Sequence, residues 1–164
     1  MPKSFTPEQA HAAIVDMDTQ SDRGAGIMIG AYLEYLLENC IAYKFVAISN
    51  TMYDSIFENT APLATFSAKI DIGFCLGLYG EQTRRCLHLI RKIRNEFAHS
   101  EIPRDFNSPE IKKFCDVLPT PGDAPSYPPE RYNRQKYYTV AMSIGTYLAV
   151  IGNEDQRPKY SGLP

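Results

Sequence analysis

Apolar residues recur along this chain at steps of three and four, the spacing that puts side chains on one face of a helix. Ile29, Leu33, Leu36, Leu37, Cys40 and Ile41 form one such stripe, with Glu34, Glu38 and Lys44 off it. With Ser21 placed to cap its start, the stripe predicts a long central helix. Upstream, Thr6, Pro7, Glu8 and Gln9 supply a hydroxyl cap, a proline at the first helical position and a glutamine able to close a capping box. A first helix is therefore expected to about Thr19. After a break at Ser49 and Asn50, a short helical piece is expected near Met52 to Phe57, and Pro62 cannot continue it. Phe66, Ile70, Phe74 and Leu78 predict a helix over about 66–78, ended by Gly77 and Gly80. The next helix runs from about Glu81 to Ser100, and Pro103 forbids much extension. Ser108, Pro109 and Glu110 open a short helix. Tyr137, Val140, Ala141, Ile144, Leu148 and Ile151 then form the inward face of a last one over about 130–151.

No segment alternates strictly, no hairpin dipeptide occurs and no period repeats, so the fold class is all-α. The expected architecture is a single-domain helical bundle of about six to seven helices spanning residues 1–164. It has a core over about 22–118, a proline-rich loop at 119–129 and a short tail at 152–164. A chain of 164 residues is long enough to bury roughly two thirds of its unfolded surface in one unit.

Charge narrows the function classes. The net charge of −2 argues against a generally basic nucleic-acid binder, so any such contact has to be local. The stretch from Gly24 to Val46 is interrupted by Glu34, Glu38, Asn39 and Lys44, each expensive at the centre of a bilayer, and reads as a core helix. Met1 to Gln20 carries acids among its apolar residues and lacks a continuous hydrophobic block, so a cytoplasmic protein with no membrane segment is expected. Cys40, Cys75, Cys86 and Cys115 make no Cys-x-x-Cys clip and are expected to be buried free thiols, with no metal or cofactor implied. The run DRGAG at 22–26 is a phosphate loop only superficially, because no strand precedes it. Gly24 and Gly26 are instead expected where helices pack closely.

The chemistry concentrates in Leu89–Ser100, LIRKIRNEFAHS. At about 100° per residue, Arg84, His88, Arg91, Asn95 and His99 fall in one narrow stripe, the candidate binding face. Arg94 lies elsewhere, roughly 140° from His99 in direction. One reading makes these residues a polar seam, with Arg91, Arg94 and His99 meeting helix ends and carboxylates such as Asp22, Glu34 or Glu38. The other makes the stripe a phosphodiester site, with arginine clamping phosphate oxygens and histidine carrying a proton near neutral pH. A third use of the stripe is to hold a phosphorylated sugar. Tyr127, Tyr132, Tyr137 and Tyr138 are candidates for a contact surface.

Four strings, DRGAGIMIGAYLEYLLE at 22–38, APLATFSAKIDIGFCLGLYG at 61–80, TRRCLHLIRKIRNEFAHS at 83–100 and FNSPEIKKFCDVL at 106–118, resemble the core of the bacterial mannitol operon repressor family. The resemblance implies an all-helical transcriptional regulator without a DNA-reading module of its own, acting through a protein partner such as a transcription factor. The residues agree, since no helix-turn-helix, zinc-finger or basic-zipper pattern occurs and direct specific DNA binding is not expected. An interaction protein able to form a homodimer is therefore the first expectation. Arg94-Asn95 followed by His99 also resembles the Arg-x4-His motif of HEPN domains, many of them metal-independent endoribonucleases whose site forms between two copies. That second resemblance implies RNA as substrate. Arg94 would stabilise the pentacoordinate phosphate, His99 would act as acid or base, and Asn95 would orient one of them.

Overall fold

The computed structural model describes residues 19–120 and 127–152. Six helices appear among them and no strand: α1 (Asp22–Tyr43), α2 (Asn50–Phe57), α3 (Phe66–Cys75), α4 (Glu81–His99), α5 (Pro109–Val117) and α6 (Pro129–Ile151). The fold is an all-α bundle. The helix expected before Thr19, most of the proline-rich loop and the tail beyond Gly152 lie outside the described residues.

Helix α1 is the centre, packed against α3, α4 and α6, while α5 closes α4 and α6 from outside. Ser21 caps α1 as its sequence requires, its hydroxyl accepting from the Gly24 amide at 3.2 Å. Ser49 and Thr65 cap α2 and α3 in the same way. Leu33, Leu37 and Ile41 on α1 are sealed from solvent, as are Leu87, Ile90, Ile93 and Phe97 on α4 and Ala141 and Leu148 on α6. No described helix is long and apolar enough to cross a membrane.

The bundle is tightest where α1 meets α4. A Cβ on Gly26 would lie under 3.0 Å from the Phe97 ring, and one on Gly30 would lie 2.8 Å from the Arg94 side-chain stem. Glycine at these positions lets α4 approach α1 closely, which fixes the rotation of α4 and the direction of its polar side chains. Gly26 thus has the packing role expected of it, whereas Gly24 faces Gln20 and Ser21 at the helix start. Phe97 meets Phe106 with ring centroids 5.0 Å apart, Phe106 meets Tyr137 at 5.1 Å, and the Tyr137 hydroxyl donates to the Gly26 carbonyl at 3.0 Å. Tyr137 is therefore core and leaves the group of candidate surface tyrosines.

Two further expectations change. Helix α3 stops at Cys75, three residues short of Leu78, because Gly77 adopts a left-handed φ of 69°. The amides of Gly77 and Leu78 then turn back to the carbonyls of Phe74 and Gly73, a Schellman closure that leaves Leu78 as the apolar residue beyond the cap. Cys75 is exposed, not buried, because it falls on the outer side of that last turn; Cys40, Cys86 and Cys115 are buried. Burial pushes the Cys40 and Cys115 thiols up to about 12, which keeps them protonated and unreactive.

Candidate functional site

Helix α4 presents its polar residues in three groups rather than as one continuous stripe. At its start, Arg84 donates to Asp71 of α3 through Nε at 3.0 Å and Nη2 at 2.7 Å, and His88 Nε2 lies 3.2 Å from the same carboxylate oxygen. The Arg84 guanidinium also sits 5.2 Å from the Phe74 ring centroid and pairs with Glu81. These two candidates form a bracket that ties α4 to α3. The Arg84 hydrogen bond, with a smaller contribution from His88, holds the Asp71 carboxyl below the usual carboxylate range. A folded-state value below the unfolded one, about 3.9, means the contribution is present above that pH and is lost as pH falls through the folded value. The pair is half-exposed and screened by solvent, so its contribution is small. Asp71→Asn is expected to lower the melting temperature by about 1–3 °C at neutral pH and to have no effect in acid below both values, as read by thermal melts at the two pH values.

In the middle of α4, Arg94 turns toward α1 and donates through Nη2 to Glu34 at 2.6 Å, with its stem laid over Gly30. Glu34 also receives Lys69 at 3.1 Å, Lys69 reaches Glu38 at 2.7 Å, and Glu38 accepts from the Tyr53 hydroxyl. Lys69 is almost completely buried, its side chain 5% exposed. For Arg94 the seam reading holds, with Glu34 as its partner. Asp22 and Glu38 have other partners: Asp22 pairs with Arg134 at 2.7 Å and Glu38 with Lys69.

Arg91 differs from its neighbours. It is half-buried on α4, its Nε is sealed from solvent without an acceptor, and none of its nitrogens reaches a carboxylate or carbonyl among the described residues. It lines a cleft of about 460 Å³ with Glu34, Thr65, Ser67, Arg94 and Asn95. At the end of α4, Asn95 and the exposed His99 line a second cleft of about 450 Å³ with Glu96, Glu101, Ile102 and Arg104. Arg104 is bound to Glu96 and lies 3.8 Å from Glu110. With Glu96 and Glu101 set against Arg104, this second cleft carries at least as much negative as positive charge and offers little to a phosphodiester.

Of the candidate catalytic residues, Asn95 faces both clefts, while Arg94 opens onto the first and His99 onto the second. A single chain does not bring Arg94 and His99 to one cleft. Sequence reasoning passed over Asp71, Lys69, Thr65 and Ser67. Lys69 left a signal: it stands three residues after Phe66, on the apolar face of α3, and faces two acids spaced four apart on α1. Among the described residues no group of three or more His, Cys, Asp or Glu is placed to hold a metal ion.

The sequence matches no family model and no curated protein. Among solved structures the fold matches a chain in the X-ray structure of the MtlR–HPr complex from Escherichia coli, with a TM-score of 0.61 and 17% sequence identity. The match covers 87% of this chain and 97% of that one. At that identity the likeness is one of fold, extending over nearly the whole of both chains.

Proposed function

We propose that this chain is a transcriptional co-regulator of the mannitol operon repressor type, which acts by binding a protein partner and not by reading DNA itself. The observation that carries the proposal is the near-complete fold match to a chain of the MtlR–HPr complex, a complex between two proteins. It agrees with the resemblance of residues 22–118 to the mannitol operon repressor core.

The described surface supports the same reading. Helix α4 is the natural candidate for a nucleic-acid element, yet Arg84 is held by Asp71 and Glu81, Arg85 by Glu81 at 3.0 Å, and Arg94 by Glu34. Lys112 and Arg134 are paired with Asp116 and Asp22. Cations engaged in this way are poor at displacing counterions from a phosphate backbone, which is the main source of DNA affinity. Endoribonuclease activity of the HEPN type, with Arg94 and His99 acting on RNA at a site between two copies, is the weaker alternative because the Arg94 guanidinium is already held by Glu34.

HPr is the first partner to try. Isothermal titration of HPr from the same organism into this chain is expected to give saturable binding with a stoichiometry near one. A flat titration at concentrations of about 100 μM, well above the Kd of a specific regulatory complex, removes the partner that the fold match suggests.

A further inference from the structure

We propose that the cleft between the start of α3 and the middle of α4 is a binding site for a phosphoryl group, carried by a small phosphomonoester, with Arg91 as its principal ligand. The inference is independent of the partner reading above.

It starts from the one arginine of α4 that lacks a partner among the described residues. An arginine side chain cannot shed its charge, and a guanidinium nitrogen buried without an acceptor is costly to keep. Arg94 and Arg104 also have a buried Nε without an acceptor, but Arg94 reaches Glu34 through Nη2 and the other nitrogens of Arg104 reach Glu96 and Glu110. Arg91 has none of these. Its charge is therefore the uncompensated one in the cleft. Glu34, the only acid lining it among the described residues, is already shared by Arg94 and Lys69, and the second acid on that network, Glu38, is held by Lys69 and Tyr53. Counting Arg91, Arg94 and Lys69 against Glu34 and Glu38 leaves one positive charge, and Arg91 is the cation with no carboxylate.

The remaining donors converge from different elements. Thr65 caps α3 by accepting from the Ala68 amide at 3.1 Å, so the amides of Phe66 and Ser67, the first two of the helix, have no acceptor within it. The positive end of α3 thus stands in the same cleft as Arg91. The Ser67 hydroxyl and the Asn95 amide line it too, and neither has a partner among the described residues. A guanidinium, a hydroxyl, a carboxamide and the start of a helix together suit a tetrahedral anion with several acceptor oxygens better than a planar carboxylate. At about 460 Å³ the cleft is larger than a bare ion requires and falls within the range of small-molecule sites.

The test is calorimetric titration and thermal shift of the whole chain with glucose 6-phosphate, inorganic phosphate, acetate and glucose at matched ionic strength. The sugar phosphate is expected to bind and raise the melting temperature, with glucose and acetate inert. Arg91→Gln is expected to weaken binding roughly tenfold or more, the loss of a charged hydrogen bond. It should fold normally, since Arg91 holds no partner in the bundle, and its ligand-free melting temperature checks this. Arg85→Gln, on the exposed side of α4, should bind as the parent does. Inorganic phosphate binding as tightly as the sugar phosphate upholds the site and assigns it to the free ion. No stabilisation by either phosphate, acetate binding equal to phosphate, or undiminished binding by Arg91→Gln overturns the proposal.

Discussion

Phe97→Ala is expected to cost about 3–5 kcal/mol, the range for removing a large buried ring. The ring is fully buried, packs edge-on against Phe106 and covers the bare backbone of Gly26, so its removal leaves a cavity between α1 and Phe106. With total stability of about 5–15 kcal/mol, the variant should melt at least about 6–12 °C lower. The same contact makes a sharper prediction about sign. In the parent chain Gly26→Ala is destabilising, because its Cβ would meet the ring at a distance real Cβ atoms essentially never show, and overpacking outweighs the roughly 1 kcal/mol that alanine gains over glycine in a helix. In the Phe97→Ala background the ring is gone and Gly26→Ala should become neutral or stabilising. Thermal melts of the four proteins read the cycle. A Gly26→Ala effect of the same size and sign in both backgrounds would show that α1 and α4 do not meet through this pair.

Lys69→Met is expected to cost about 3 kcal/mol, near the lower end for removing one partner of a buried ion pair. The methionine keeps most of the stem's packing, so the loss reports the charge. Lys69 bridges Glu34 and Glu38, whose side chains are only 20% and 18% exposed, and without it two carboxylates one helical turn apart confront each other. Each keeps one partner, Arg94 for Glu34 and the Tyr53 hydroxyl for Glu38, which is why the upper end of the range is not expected. Glu38→Gln added to Lys69→Met should restore a large part of the stability by removing the uncompensated charge. Chemical denaturation of the single and double variants decides it. A single-variant loss under about 0.5 kcal/mol, the size of an ordinary surface change, would mean that the cluster is solvated and does not join α1 to α3.

The elements were legible because their signals are local. The stripes on α1, α4 and α6 and the cap at Ser21 depend only on neighbours in sequence; α4 and α6 begin and end within a residue of expectation, and α1 and α5 start directly after Ser21 and Ser108, although the Ser108 side chain makes no capping hydrogen bond. Helix α3 shows where local reading stops short. Gly77 was seen as a terminator, but a left-handed glycine ends the helix at the residue before the cap, not at the glycine itself. Cys75 departs from its expected burial for a different reason: hydrophobicity alone does not tell the inner side of a last turn from the outer.

The candidate site was less legible because it depends on pairs between helices. Arg84, His88, Arg91, Asn95 and His99 do lie along α4, as their spacing requires. What divides them is Asp71 on a different helix, which takes Arg84 and His88 and leaves Arg91 without a carboxylate. Of the three acids anticipated for the polar residues of α4, Asp22, Glu34 and Glu38, only Glu34 meets one of them, Arg94, because the stripe of α1 puts it beside the apolar face that α4 covers. Ser67 and Thr65 are ordinary helix-start residues in sequence and gain interest only when α3 aims its first turn at Arg91.

The most direct test of a regulator that works through protein contact is fluorescence anisotropy with DNA upstream of its own operon. The purified chain is titrated against that DNA and a scrambled duplex, at low and at physiological salt and without added protein. The account predicts weak binding, equal for the two duplexes and abolished as salt rises. Submicromolar binding to the upstream DNA that exceeds the scrambled duplex by about a hundredfold or more at physiological salt would contradict it.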